Sequence, residues 1–155
     1  MIAMTVAKII LASRERQVLE GLAVGKALSV VALDLKIREG AAADYLKVAK
    51  VKLHGVSDAP SAVAVGYATN SITRPPLLDR ELLFLPREQR LIVPLVARGL
   101  APAQMATELD RPVADVRADG RELLMTLRAC NRSHLMTKAW QYRVLTADQV
   151  IPWLR

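Results

Sequence analysis

The sequence predicts an all-α fold, and three observations support this prediction. Apolar residues recur at the spacing of one helix face, as Val18, Leu19 and Leu22 do. Alternating runs of β-branched and aromatic residues, which are typical of strands, are scarce. Glycine, proline and asparagine divide the chain into segments of roughly 8 to 16 residues, which is the usual length of helices in globular proteins.

The first half of the chain is expected to form four helices. Val18, Leu19, Leu22 and Ala23 lie on one face of the first helix. Gly25 suits the end of this helix, because glycine readily takes the left-handed conformation that reverses the chain. Three further helices are predicted at 28–35, 39–53 and 60–70.

The second half is expected to repeat this arrangement with two irregularities. Its first helix ends at Gly99 and contains Pro94, which should kink it or open it locally. Pro102 suits the first position of the next helix. Gly120 falls inside a later helix and costs roughly 1 kcal/mol relative to alanine. These later helices are predicted at 102–109, 113–128 and 133–143, followed by a C-terminal extension.

The two halves of the chain align with each other. A shift of 74 residues pairs apolar and turn positions over about 60 residues, Gly25 with Gly99 among them. From Asp58, which pairs with Asn131, a shift of 73 fits better, so one residue near His54 is extra in the first copy. The sequence therefore predicts one supersecondary unit that occurs twice.

The boundary between the copies is placed at a proline pair. The stretch 72–80 contains Pro75 and Pro76 and is unlikely to continue a helix. The predicted domains are therefore 1–74 and 75–155. Both are basic, with net charges of +4 and +3.

Charge points to a polyanionic partner. The chain has 22 Lys and Arg against 15 Asp and Glu, which gives a net charge of +7. Such an excess favours nucleic acid, or less often an acidic membrane surface. The apolar N-terminal stretch is interrupted by Lys8, and no run approaches the roughly 18 apolar residues of a spanning helix. A cytoplasmic location without membrane association is therefore expected.

Specific motifs then suggest a family. The segment Leu11-Ala-Ser-Arg-Glu-Arg-Gln-Val-Leu-Glu-Gly-Leu-Ala-Val-Gly25 matches the pattern Leu-Thr-x-Arg-Glu-x-x-Val-Leu followed by Ala and Gly. The second copy offers Leu85-Pro-Arg-Glu-Gln-Arg, Leu95-Val-Ala-Arg-Gly99 and Asn131-Arg-Ser-His134. Each copy resembles the LuxR/GerE-type helix-turn-helix domain, a four-helix DNA-binding module of bacterial regulators. The expected architecture is therefore two tandem four-helix domains joined by a short linker that contains proline.

The resemblance implies a role for each helix. The second and third helices of each copy form the helix-turn-helix, and the third, at 39–53 or 113–128, enters the major groove. The final helix packs against the others and, in the family, often forms the dimer contact. The DNA-contacting residues expected on this basis are Arg38, Lys47, Lys50, Arg117 and Arg121.

Two departures from the family pattern concern base readout. Ala41, Ala42 and Ala43 stand where the family carries Thr-Val-Lys, and alanine cannot hydrogen-bond to a base edge. Asp115 stands where threonine is expected. Its carboxylate would repel phosphate unless it caps the helix.

The predicted function is sequence-specific binding of double-stranded DNA by a transcriptional regulator. Two units in one chain would act as a covalent pseudo-dimer on an asymmetric site. The alternative is a protein-interaction module, such as an anti-activator, that keeps the fold without base readout. A third alternative is sequence-independent coating of DNA. Another regulator, RNA polymerase and a second copy bound through a final helix are further partners to consider.

Catalysis finds no support in the sequence. No Gly-rich phosphate loop, HExxH or GxSxG motif is present. Cys130 is the single cysteine, and His54 and His134 are the two histidines. The chain is therefore predicted not to be an enzyme. No catalytic residue, metal, cofactor or small-molecule ligand is implied.

Overall fold

The computed structural model describes residues 9–154, and within that range the regular structure is entirely helical. The predicted all-α class is therefore confirmed. Short 3₁₀ turns occur at Arg80–Leu82 and Ile151–Leu154. The α-helices are α1 Ser13–Ala23, α2 Leu28–Leu35, α3 Glu39–Lys52, α4 Ala59–Ala68, α5 Arg87–Arg90, α6 Val93–Ala97, α7 Pro102–Leu109, α8 Val113–Thr126, α9 Arg132–Gln141 and α10 Ala147–Val150.

The helix bounds repeat at the two offsets found in the sequence. Helices α2 and α3 recur 74 residues later as α7 and α8, and α4 recurs 73 residues later as α9. Left-handed residues follow the same rule, since Lys36 and Asp110 end α2 and α7 with φ of 58° and 51°. The change of offset falls between α3 and α4, where His54 and Gly55 both have positive φ.

Proline divides the first helix of the second half. Pro94 has no N–H to donate, and its ring conflicts with the carbonyl of Arg90 one turn earlier. The helix that runs unbroken as α1 in the first half is consequently split into α5 and α6, with Leu91 and Ile92 between them. The expected opening at Pro94 is confirmed.

Asx caps start the final helix of each half. The side chain of Asp58 accepts a hydrogen bond from the backbone N–H of Ser61, at 2.9 Å. Asn131 does the same for the N–H of His134, also at 2.9 Å. Each cap satisfies one of the N–H groups that a helix N-terminus leaves without a partner.

The two final helices pack against each other at the centre of the molecule. Tyr67 of α4 and Trp140 of α9, which are related by the offset of 73, stack with their ring centroids 5.6 Å apart. Thr137 lies beside them and shares a hydrogen bond with the Tyr67 hydroxyl at 2.9 Å. One buried hydrophobic cluster contains residues from both halves, so the halves share a core.

Two further contacts between the halves are reciprocal. A Cβ added to Gly25, at the end of α1, would lie 3.2 Å from the Cβ of Cys130, just before α9. A Cβ added to Gly99, at the end of α6, would lie 2.5 Å from the Oγ of Ser57, just before α4. The first helix of each half therefore ends against the start of the final helix of the other half, as in a twofold interface.

This packing is at odds with the expected homodimer contact through a final helix. Residues 61–68 of α4 are all buried. In α9, the residues that face the core include Leu135, Met136 and Ala139, each no more than 1% exposed. The surfaces that would meet a second copy are already occupied within the chain.

Candidate nucleic-acid interface

Helix α3 is held against α1 and α2 by a small core of its own. Ala42 is fully buried and belongs to a cluster with Val18, Leu22 and Val31. On the next turns, Ala49 also faces inward. Burial of these small side chains fixes which face of α3 is turned to solvent.

The alanine triplet therefore has mixed roles. Ala42 is a core residue, and its counterpart 74 residues later, Val116, is buried too. Ala41 is half-buried, and Ala43 is the exposed member of the three. The departure from the family pattern at 41–43 thus affects the solvent face chiefly at one position.

Helix α8 presents its arginines in the same manner. Val116 and Leu123 are its buried residues, and they turn the helix onto α5 and α7. Arg117 and Arg121, one turn apart, are both exposed.

The five predicted site residues lie at or on the two candidate recognition helices. Arg38 is the exposed N-cap residue of α3 and makes no capping hydrogen bond. Lys47 is exposed on α3, whereas Lys50 is half-buried there. Within residues 9–154, none of the five, which include Arg117 and Arg121, forms an ion pair with a carboxylate.

Two of these residues occupy equivalent positions. Lys47 and Arg121 are separated by 74 residues, the offset that relates α3 to α8, and both are exposed. The others differ between copies, since Arg117 corresponds to Ala43 and Lys50 to Leu124. The two faces therefore share one cationic position and diverge elsewhere.

Other nearby cations are engaged in ion pairs. The Nζ of Lys52, at the end of α3, lies 2.7 Å from Oε1 of the buried Glu15. Burial raises the pKa of Glu15, but hydrogen bonds from Lys52 and from the backbone N–H of Ala12 outweigh it and hold that pKa below its usual value. Lys52 is thus a partner of the core and less available to a ligand.

Arg111 in the turn before α8 is bound in a similar way. Its guanidinium pairs with the carboxylate of Asp119, and this hydrogen bond raises the pKa of Arg111. The pair fixes the turn between α7 and α8 to α8.

Acidic side chains interrupt both cationic faces. Glu39 and Asp44 are exposed on α3, and Asp115 is exposed in the first turn of α8. Asp115 does not cap α8. The N-cap residue is Pro112, which has no N–H that the Asp115 carboxylate could accept, and no side-chain capping hydrogen bond is present at this helix. Asp115 instead stabilises α8 through its position at the positive end of the helix dipole.

Three further arginines converge in the fold, although the sequence does not indicate that they do. Arg80, Arg90 and Arg143 line one groove of about 390 Å³, although they come from the linker, from α5 and from the turn after α9. Their separation in the sequence gives no signal that they converge.

The two histidines and the cysteine do not group with other potential metal ligands within residues 9–154. His134 accepts a hydrogen bond at Nδ1 from the N–H of Cys130, at 3.0 Å. Burial, and secondarily Lys138, lowers the pKa of His134, which favours its neutral form. No cluster of three or more potential metal ligands occurs within the described residues.

Within residues 9–154, no helix combines the length and the apolar character that are needed to span a bilayer.

Comparison of the chain with protein-family models found no match, and comparisons with curated proteins and with solved structures found none either.

Proposed function

We propose that the protein binds double-stranded DNA through α3 and α8, acting as a sequence-specific transcriptional regulator with two LuxR-like helix-turn-helix units in one chain. The observation that carries the proposal is the equivalence of Lys47 and Arg121. Both are exposed, free of ion pairs within the described residues, and placed alike on helices with the same core-facing pattern. Cations at these positions suit contact with phosphates, and Arg121 also suits base contact.

The internal symmetry supports a pseudo-dimer. The reciprocal contacts between the halves resemble a twofold interface, and the same relation would pair α3 with α8 as the recognition helices of a dimeric repressor are paired. Ordinary dimers place such helices roughly 34 Å apart, one turn of DNA. Because Arg117 faces solvent where the first copy has Ala43, the preferred site should be asymmetric.

The test is a titration of labelled genomic fragments at several salt concentrations. We expect Lys47→Ala and Arg121→Ala each to weaken binding and to reduce the salt slope by about 0.9, because each removes one phosphate contact. The matched controls Lys47→Arg and Arg121→Lys keep the charge and should keep the salt slope. Unchanged affinity in the double alanine variant would exclude these helices as the interface.

Footprinting provides a second, independent measurement. The proposal predicts protection of two unlike half-sites, and Arg117→Ala should relax base preference on one of them only. Protection of two identical half-sites would contradict the asymmetric pseudo-dimer. Equal affinity for all fragments would favour sequence-independent coating.

One observation favours the alternative of a protein-interaction module. Exposed apolar side chains lie on the same two helices, with Val51 on α3 at 69% and Met125 on α8 at 76% exposure. Exposed apolar side chains that form a contiguous patch mark protein-interaction surfaces. Val51→Ser and Met125→Ser would leave DNA affinity intact under the main proposal, and would abolish partner capture under the alternative.

A further inference from the structure

A cavity lies beneath the second candidate recognition helix. It has a volume of about 200 Å³, is partly open to solvent, and is lined by residues of α6, α7, α8 and α9. Buried apolar side chains such as Met105 and Leu135 form its wall.

The cavity has a specific cause in the sequence. Gly120 of α8 lines it, and a Cβ built at Gly120 would meet no atom within 4 Å. The corresponding residue of α3, 74 positions earlier, is Leu46, whose side chain packs against both hydrophobic clusters. The second copy therefore lacks the leucine side chain that packs at this position in the first copy.

Three arginines supply the polar part of the cavity. Arg117, Arg121 and Arg132 line it, and no carboxylate-bearing or histidine residue does. None of the three is in an ion pair with a carboxylate within residues 9–154. The first two are exposed and the third is half-buried.

We propose that this cavity binds a small organic carboxylate with an apolar body. An apolar cavity of about 150 Å³ admits benzene, so this one has room for a single aromatic ring or a short acyl chain. Its carboxylate would accept charge-assisted hydrogen bonds from the guanidinium groups, which match carboxylates in geometry.

The proposed ligand would also regulate DNA binding, an extension that rests on the proposed function. Arg117 and Arg121 are two of the residues assigned to DNA contact. A carboxylate held by these guanidiniums competes with phosphates for them. The ligand is therefore expected to lower affinity for DNA.

The experiment is isothermal titration calorimetry of the full chain with benzoate. Benzoate should bind, whereas benzyl alcohol, which lacks the charge, and acetate, which lacks the ring, should bind at least about tenfold more weakly. Gly120→Leu should abolish benzoate binding, because leucine fills the space that Leu46 fills in the first copy. Gly40→Leu, on α3 where an added Cβ also meets no atom within 4 Å, is the matched control and should bind as the parent does.

A second pair of variants keeps the test decisive if Gly120→Leu folds poorly. Arg132→Gln removes one guanidinium from the cavity without filling it and should weaken benzoate binding about tenfold. Arg87→Gln removes an exposed arginine that does not line the cavity, and should have no effect. Absence of benzoate binding to the parent, or equal binding by Gly120→Leu in its folded form, overturns the proposal.

The effect of benzoate on DNA binding is measured in a separate experiment. Benzoate should weaken DNA binding by the parent and have no effect on DNA binding by Gly120→Leu. If benzoate binds but no DNA fragment does, the cavity site stands and the proposed function fails. If a DNA fragment binds and benzoate does not, the proposed function stands and the cavity site fails.

Discussion

A buried polar side chain at the same place in both halves is paired through different chemistry. In the first half, Glu15 is paired with Lys52 at 2.7 Å. At the offset of 74, the Oγ1 of Thr126 donates to the Oε1 of Gln89, also at 2.7 Å. Glu15 and Gln89 are both buried, so each needs its partner to offset the loss of hydration. One half therefore contains a charged pair where the other has a neutral one.

This difference predicts a pH dependence that belongs to one residue. The folded-state pKa of Glu15 lies below the ordinary value of 4.5, so its contribution to stability is complete above that pH and is lost as the pH falls through the folded pKa. The double variant Glu15→Gln with Lys52→Thr copies the neutral pair and should lose less stability between neutral pH and about pH 3. Urea unfolding at each pH measures this.

Single variants provide the control. Lys52→Thr alone leaves the Glu15 carboxylate buried with the Ala12 N–H as its remaining partner, and should lower the free energy of unfolding by about 1–3 kcal/mol at neutral pH. An unchanged pH profile in the double variant would show that Glu15 does not carry the dependence.

At the scale of the element, the caps of the final helices combine two tasks. Asn131 accepts the His134 N–H within α9 and also donates from Nδ2 to the carbonyl of Gly25, at 3.1 Å. Its counterpart Asp58 can only accept when ionised. Asn131 therefore caps α9 and also joins the two halves by a hydrogen bond.

Substitution of Asn131 should separate these tasks. Asn131→Asp keeps the cap, removes the bond to Gly25, and should cost about 1 kcal/mol. Asn131→Ala removes both and should cost about 2 kcal/mol, since an N-cap contributes about 1 kcal/mol itself. Urea unfolding distinguishes the two variants; equal losses would mean that the cap contributes nothing.

The elements themselves were largely predictable from the sequence. The bounds of α2 and α7 match the prediction, and those of α3, α4, α8 and α9 agree to within two residues, because local signals such as Gly25, Pro94 and Pro102 mark helix ends. The sequence also predicts that Gly120 is unfavourable within a helix. The cavity beside it was not predicted, because it depends on how four separate helices surround that position.

Contacts distant in sequence were beyond prediction for the same reason. Thr137 donates a hydrogen bond to the carbonyl of Ala23, 114 residues earlier, at 2.6 Å. The periodicity of the sequence does not predict a contact of this kind. The half-buried state of Lys50 likewise depends on packing, whereas the exposure of Lys47 and Arg121 follows from the helical stripe. Exposure was therefore predictable where it follows from helix geometry, and burial between elements was not.

At the scale of the whole molecule, the central question is whether the halves behave as two domains or as one. The sequence predicted domains at 1–74 and 75–155, but one hydrophobic cluster draws on both sides of that boundary. The Tyr67 hydroxyl, the Thr137 hydroxyl and the Ala23 carbonyl form a buried hydrogen-bonded chain across it. Separation of the halves would expose α4 and α9 together with these polar groups, which favours a single cooperative unit.

A substitution confined to the first half tests this cooperativity. Val31 is 1% exposed and belongs to a cluster made only of first-half residues, whereas Trp140 and Trp153, the two tryptophans, lie in the second half. Val31→Ala should lower the free energy of unfolding by about 2 kcal/mol. If the halves unfold together, the tryptophan-fluorescence transition shifts as far as the transition followed by circular dichroism, because both report one equilibrium. Two separate steps in either signal would establish two independent domains, and α3 and α8 would then lack the fixed spacing on which the proposed pseudo-dimer depends.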